Sequence, residues 1–146
     1  MRGTSGRTRR PEHGSAVIEA AIGVPAFLLF VGLIVFAGRV AIANQAVGSA
    51  ATEAARAASI ARSSGDARAE AESAAVSSLA NQRVNCGRSA VTVDTSGFAS
   101  PVGTPATVRA TVTCVVSLSD LSVPGIPGSR SVTATMTSPL DTYRER

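Results

Sequence analysis

Hydrophobic and polar positions divide the chain into four regions. From Ala20 to Gly38 no residue is charged and most are large and apolar, a run of 19 residues. As a helix this run is about 28 Å long, against about 30 Å of hydrocarbon in a bilayer. Pro25 falls early in it, where a membrane helix tolerates proline if neighbours satisfy the freed carbonyl. From Asn44 to Ser63 the pattern becomes amphipathic. Ala43, Ala46, Val47, Ala50, Ala51, Ala54, Ala57, Ala58 and Ala61 share one face, and Gln45, Ser49, Thr52, Glu53, Arg56, Ser59 and Ser63 the other. Such a face of small residues suits close helix–helix approach, either for assembly or against the chain's own C-terminal domain. Ser63-Ser64-Gly65 predicts a turn, with Ser64 or Asp66 capping a second helix that runs to about Asn81.

Beyond that helix the period falls to two. Residues 89–94 predict a short strand. In 106–118, Val108, Ala110, Val112, Cys114 and Val116 alternate with Thr107, Arg109, Thr111 and Thr113. Residues 123–129 are a Pro/Gly loop, and 131–138 alternate again with Val132, Ala134 and Met136 inward. The expected fold class is α+β: a long N-terminal transmembrane helix continuing into a helical spine, a second helix, and a small antiparallel β-sheet. The sheet has one face available to the second helix. The expected divisions are a leader at 1–14, a transmembrane helix at 15–39, extracytoplasmic amphipathic helices at 40–84 and a small β domain at 85–146.

Composition limits the core. Hydrophobic residues make up 45% of the 146, but aromatics only 3%, and the apolar share is mainly alanine and valine. Alanine favours helix and buries little area. The net charge of +4 is unevenly spread. Arg2, Arg7, Arg9 and Arg10 precede the apolar run, and without residues 1–14 the count is about +1. The remainder has no basic stripe and no basic–aromatic interleaving, so no nucleic-acid partner is expected. Arginines ahead of the span place the N-terminus in the cytoplasm and everything from Arg39 onward outside, in a single-pass cell-membrane protein.

The cysteines and the lone histidine bear on chemistry. Cys86 follows the second helix and Cys114 lies on the apolar face of the long strand, both in the exported part, where disulfides persist. A bond between them encloses 27 residues and contributes about 3–4 kcal/mol, enough to decide whether so small a sheet folds. The alternative is two buried free thiols. His13 is the only histidine and lies in the expected leader, so neither a Ser/His/Asp arrangement nor a zinc site is available after it. No phosphate-binding glycine loop is present. No enzymatic activity, metal or cofactor is expected.

Glu19 stands at the mouth of the apolar run. An ionisable group at membrane depth costs about 2.5–3.5 kcal/mol and ordinarily has a partner, whereas one at the headgroup edge costs little. It is the fifth residue after Gly14, in Gly14-Ser15-Ala16-Val17-Ile18-Glu19, behind a basic leader. This arrangement resembles the class III signal of type IV prepilins and pseudopilins. Further along are Val24-Pro25, the Leu/Phe run, Gly38-Arg39 and Ala50-Ala51-Thr52-Glu53-Ala54-Ala55-Arg56-Ala57-Ala58. With these, residues 14–62 resemble the TadE-like family, minor pseudopilins of tight-adherence (Flp, type IVb) pilus assembly. Ala20 departs from the family pattern, which usually has an aromatic there.

The resemblance implies that a prepilin peptidase cuts between Gly14 and Ser15 on the cytoplasmic side. The apolar helix then stays on the mature chain, and Glu19 pairs with the new N-terminal amine of a neighbouring subunit. Implied partners are the peptidase, other pilins or pseudopilins, tight-adherence membrane components and the lipid bilayer. The alternative is an exported or single-pass anchored small β-domain that binds a cell-surface or secreted partner. In that case a signal peptidase cuts after Ala41-Ile42-Ala43, leaving Asn44 first, or the chain keeps Met1.

Overall fold

The computed structural model describes residues 13–119 and 128–143. The chain divides into two compact units, Met1–Val35 and Phe36–Arg146. Helix α1 spans His13–Ile60 and α2 spans Ser64–Asn81. Strands β1 (Cys86–Asp94), β2 (Thr107–Ser117) and β3 (Ser129–Pro139) follow, with a short 3₁₀ turn at Ser96–Ala99 between β1 and β2. The sheet is antiparallel in the order β1-β2-β3. The long apolar helix, the second helix and the three-stranded antiparallel sheet all agree with the sequence reading.

The first unit contributes the apolar part of α1. Here Phe27, Leu28, Phe30, Leu33 and Ile34 are exposed, as the residues of a helix surrounded by lipid would be. Pro25 lies inside the helix and leaves one carbonyl without its usual donor.

The core of the second unit is built from methyl groups. Along α1, Ala43, Val47, Ala50, Ala51, Ala54, Ala55 and Ala58 are buried; along α2, Ala67, Ala71, Ala75 and Leu79 are buried at intervals of four. They meet Val108, Ala110, Val112 and Cys114 of β2 and Val132 of β3 in one cluster. The alanine face of α1 is thus taken up by its own domain. Ala55 is in the core, while Ala57 is only half-buried. Residues of both helices thus enter one core with those of the sheet. Polar contacts fasten the layers at their margins. Ser138 donates to Ser59 across β3 and α1 at 3.0 Å, and Arg68 of α2 donates to the buried Thr95 hydroxyl at 2.8 Å.

The turn between the helices is tighter than the sequence pattern indicates. Ser63, not Ser64 or Asp66, is the N-cap, and Ser64 and Gly65 are already helical. The Ser63 hydroxyl accepts from the Asp66 amide at 3.1 Å and donates to the Asp66 carboxylate at 2.8 Å. One side chain therefore satisfies an orphan amide while the other places negative charge in the first turn. The far end of α2 closes with the Val84 amide donating to the Leu79 carbonyl and the Arg83 amide to the Ala80 carbonyl, a Schellman motif. Its left-handed position is held by Arg83 at φ 55°, where glycine is the usual residue.

β1 begins at Cys86, earlier than the expected 89–94, and carries a register irregularity between Cys86 and Arg88. Val108, Ala110, Val112 and Cys114 are buried as alternation predicts. On the opposite face, threonine hydroxyls pair across strands, Thr111 with Thr135 at 2.9 Å and Thr113 with Thr133 at 3.0 Å. Met136 departs from expectation. It shares the face of Ala110, its cross-strand partner, but remains 40% exposed because β3 is an edge strand and the helices do not cover that point. The expected 123–129 loop lies outside the described residues except Gly128 and Ser129.

The 3₁₀ turn follows β1 closely. At Gly97 a Cβ would collide with the Thr107 carbonyl oxygen and crowd Leu140, so this approach requires glycine. Asp94 anchors the turn by accepting from the Ser96 amide at 3.0 Å. That bond, the Ser96 hydroxyl and the Arg109 charge hold its carboxyl below the ordinary value of 3.8.

Two predictions follow from these local geometries. Arg83→Gly removes the left-handed strain and should stabilise the domain by about 1 kcal/mol, read as a higher midpoint in urea unfolding. For Asp94 the folded carboxyl is the stronger acid. Its stabilising effect is complete above the unfolded value and disappears as pH falls through the folded one. Asp94→Ala should therefore lower the melting temperature at pH 7, with the gap to the parent chain closing below about pH 4.

Candidate functional site

The residues expected to carry function lie in two places. Gly14, Ser15 and Glu19 are in the first two turns of α1, in the first unit. Cys86 and Cys114 are in the second. The structure joins the cysteines in a disulfide with Cα atoms 5.4 Å apart. Cys114 is fully buried and Cys86 partly so, at the end of the core where β1 opens. Cys86 faces Val116 in the strand register and reaches diagonally to Cys114, so the bond ties the start of the edge strand to the central strand. It also closes the loop that contains β1, the 3₁₀ turn and most of β2.

Glu19 is exposed on α1, and its carboxylate meets no partner among the described residues. The helix supplies none: Ala20, Ala21, Ile22 and Gly23 follow, and Ala16, Val17 and Ile18 precede. A charge in this position must be satisfied by water, a headgroup or another molecule. Among the described residues one helix is long and apolar enough to cross a membrane, by length and composition, and it lies near the N-terminus.

No three His, Cys, Asp or Glu side chains come together among the described residues. Three clefts among the described residues are open surface features. One, beside the 3₁₀ turn, is lined by Arg68, Asp94, Thr95, Ser96 and Phe98, and its polar groups are engaged in holding the turn.

Comparison with protein families bears directly on the first place. Residues 14–56 match the family model of TadE-like proteins. The match begins at Gly14, includes Glu19 and the whole apolar run, and ends at Arg56 within the alanine-faced part of α1. It covers under half of the chain, so α2 and the sheet lie outside it. No curated protein and no solved structure matches the chain. The TadE-like segment therefore contains all of the charge-free run and most of the α1 residues that enter the core.

Several residues that shape the C-terminal unit had no clear sequence signal. Arg83 reads as an ordinary helix-end cation, and only its φ reveals the strained turn. Gly97 sits in an unremarkable Ser-Gly-Phe stretch. The Arg68–Thr95 contact joins residues 27 apart. Ser63 was visible within the expected turn, but Ser64 and Asp66 are equally good caps by residue type.

The disulfide carries its own prediction. Reduction, or Cys114→Ser, frees the loop it closes and should lower unfolding free energy by about 3–4 kcal/mol. Urea unfolding of the full chain in detergent, with and without reductant, measures this. An unchanged midpoint would show that the alanine core holds the sheet alone.

Proposed function

We propose that this chain is a membrane-anchored minor pseudopilin, TadE-like in its N-terminal segment, that takes part in assembling a tight-adherence type IVb pilus or related secretion machinery. The observation that carries the reading is the family match over residues 14–56, which begins at the expected cleavage glycine and includes Glu19 and the apolar span. TadE-like proteins are pilus-assembly components, and the proposed role is structural rather than enzymatic.

In this reading residues 1–14 are the leader, 15–39 the membrane helix, 40–84 extracytoplasmic helices and 85–146 a disulfide-linked β domain. A prepilin peptidase hydrolyses the Gly14–Ser15 peptide bond on the cytoplasmic side, and the Ser15 amine becomes a cation. Glu19 then offers a counter-charge to the corresponding amine of a neighbouring pilin or pseudopilin. Pairing removes the penalty of an isolated carboxylate at membrane depth, and because only a correctly placed neighbour provides it, the pair also sets helix register. The leader arginines hold the N-terminus in the cytoplasm and the cysteine-bearing domain outside.

The test joins processing to assembly. Mass spectrometry of membrane-extracted protein should find a chain beginning at Ser15. A start at Asn44 would indicate a secreted domain, and an intact Met1 a plain anchor. Glu19→Ala should insert in the membrane as well as the parent chain, or better, because a charge leaves the apolar helix. It should nevertheless lose most of its crosslinking to other pilus components, and Glu19→Gln should behave like the alanine variant. Normal assembly by Glu19→Ala would reduce the carboxylate to an interfacial residue.

A further inference from the structure

Among the described residues, the arginines of the second unit beyond Arg39 fall into two groups. Arg56, Arg62, Arg68 and Arg109 are interspersed with acids: Arg109 faces Asp94 across the strands, and Arg62 is near Asp66 in sequence. Arg83, Arg88 and Arg130 are placed otherwise. Arg83 lines an open cleft of about 360 Å³ with Arg39, Ile42, Val84, Val116 and Ser117. In the strand register Arg130 stands opposite Val116, and Arg88 opposite Val115. Both are exposed. Three strand and helix ends thus deliver cations to one end of the domain.

No described acidic residue lines this cleft. Glu53 lines a separate one with Asn81 and Gln82, and Asp94 and Asp141 are at the opposite strand ends. The cleft also contains the beginning of the unit: Arg39 directly follows Gly38, the last residue of the charge-free run, and Ile42 is 62% exposed one turn later. Chain connectivity alone therefore keeps this end within about a turn of helix of the point where the apolar run ends.

We infer that this end of the domain, through Arg83, Arg88 and Arg130 and the Ile42 that lines the cleft with Arg83, docks on the anionic phospholipid headgroups of the membrane in which the chain is anchored. The inference rests on the anchored reading of the apolar run but not on cleavage, Glu19 or entry into a pilus. A guanidinium gives phosphate two parallel donors, and an exposed isoleucine suits the boundary between headgroups and acyl chains. Each arginine near an anionic surface shifts the docked-to-free ratio about fivefold.

The experiment is hydrogen exchange of the full chain in lipid nanodiscs, one set phosphatidylcholine alone, the other with about a third phosphatidylglycerol. Amides in 84–89 and 115–117 should exchange at least several-fold more slowly in the anionic discs. Salt at about 0.5 M should remove the difference, as should the triple change Arg83→Gln, Arg88→Gln, Arg130→Gln. Amides of α2 and central β2 report whether that variant keeps its core; if it does not, the three single variants are measured, each expected to remove part of the difference. Equal exchange in the two lipids, or a difference that survives the arginine changes in a folded chain, overturns the inference. Loss of pilus crosslinking with the lipid dependence intact would fault only the assembly role.

Discussion

The C-terminal unit depends on close approach between backbones. Its core side chains are mostly alanine, and a methyl group contributes contact only if the surfaces on both sides come right up to it. A buried alanine also removes little apolar area from water, about 0.8 kcal/mol per methyl-sized group. Such a core has little excess stability with which to tolerate a misplaced element. The features around it become intelligible on that basis: a capped start and a hydrogen-bonded end for α2, serine and arginine contacts at the margins, and a covalent link between the two strands nearest the open end.

The same helix meets two opposite demands. Its first part presents large apolar side chains on every side, which suits lipid and would be unfavourable in water. After Arg39 the large residues give way to alanine on one face and polar residues on the other, which suits a protein core on one side and water on the other. The change in side-chain size marks the change in surroundings. The TadE-like match extends across that change, to Arg56, so the likeness includes both the apolar run and most of the alanine face.

The two groups of expected site residues differ in what completes them. The disulfide is complete within one chain, because β1 and β2 bring the sulfurs together. Glu19 is not; its carboxylate has no partner among the described residues. In the proposed role a neighbouring subunit supplies that partner. In that role the working residue is in the helix, and a cross-linked domain follows on the same chain.

Periodicity and composition determined much of this protein. The uncharged run, the alanine stripe and the alternation in β2 are local, because a helix face or strand face is set by spacing along the chain. The disulfide was legible for a related reason: only two cysteines exist, and both follow the span. What only tertiary structure decided are choices among near-equivalent neighbours and matters of coverage. Ser63 caps α2 because the chain leaves α1 at Ile60 and must turn at once, which residue type cannot reveal. Met136 lies on the inward face as alternation predicts, yet is exposed because an edge strand's burial depends on how far the helices extend over it. Whether the alanine face served assembly or the chain's own core was open in sequence, since both uses ask for small residues. Packing settled it, because the face is already occupied by α2 and the sheet.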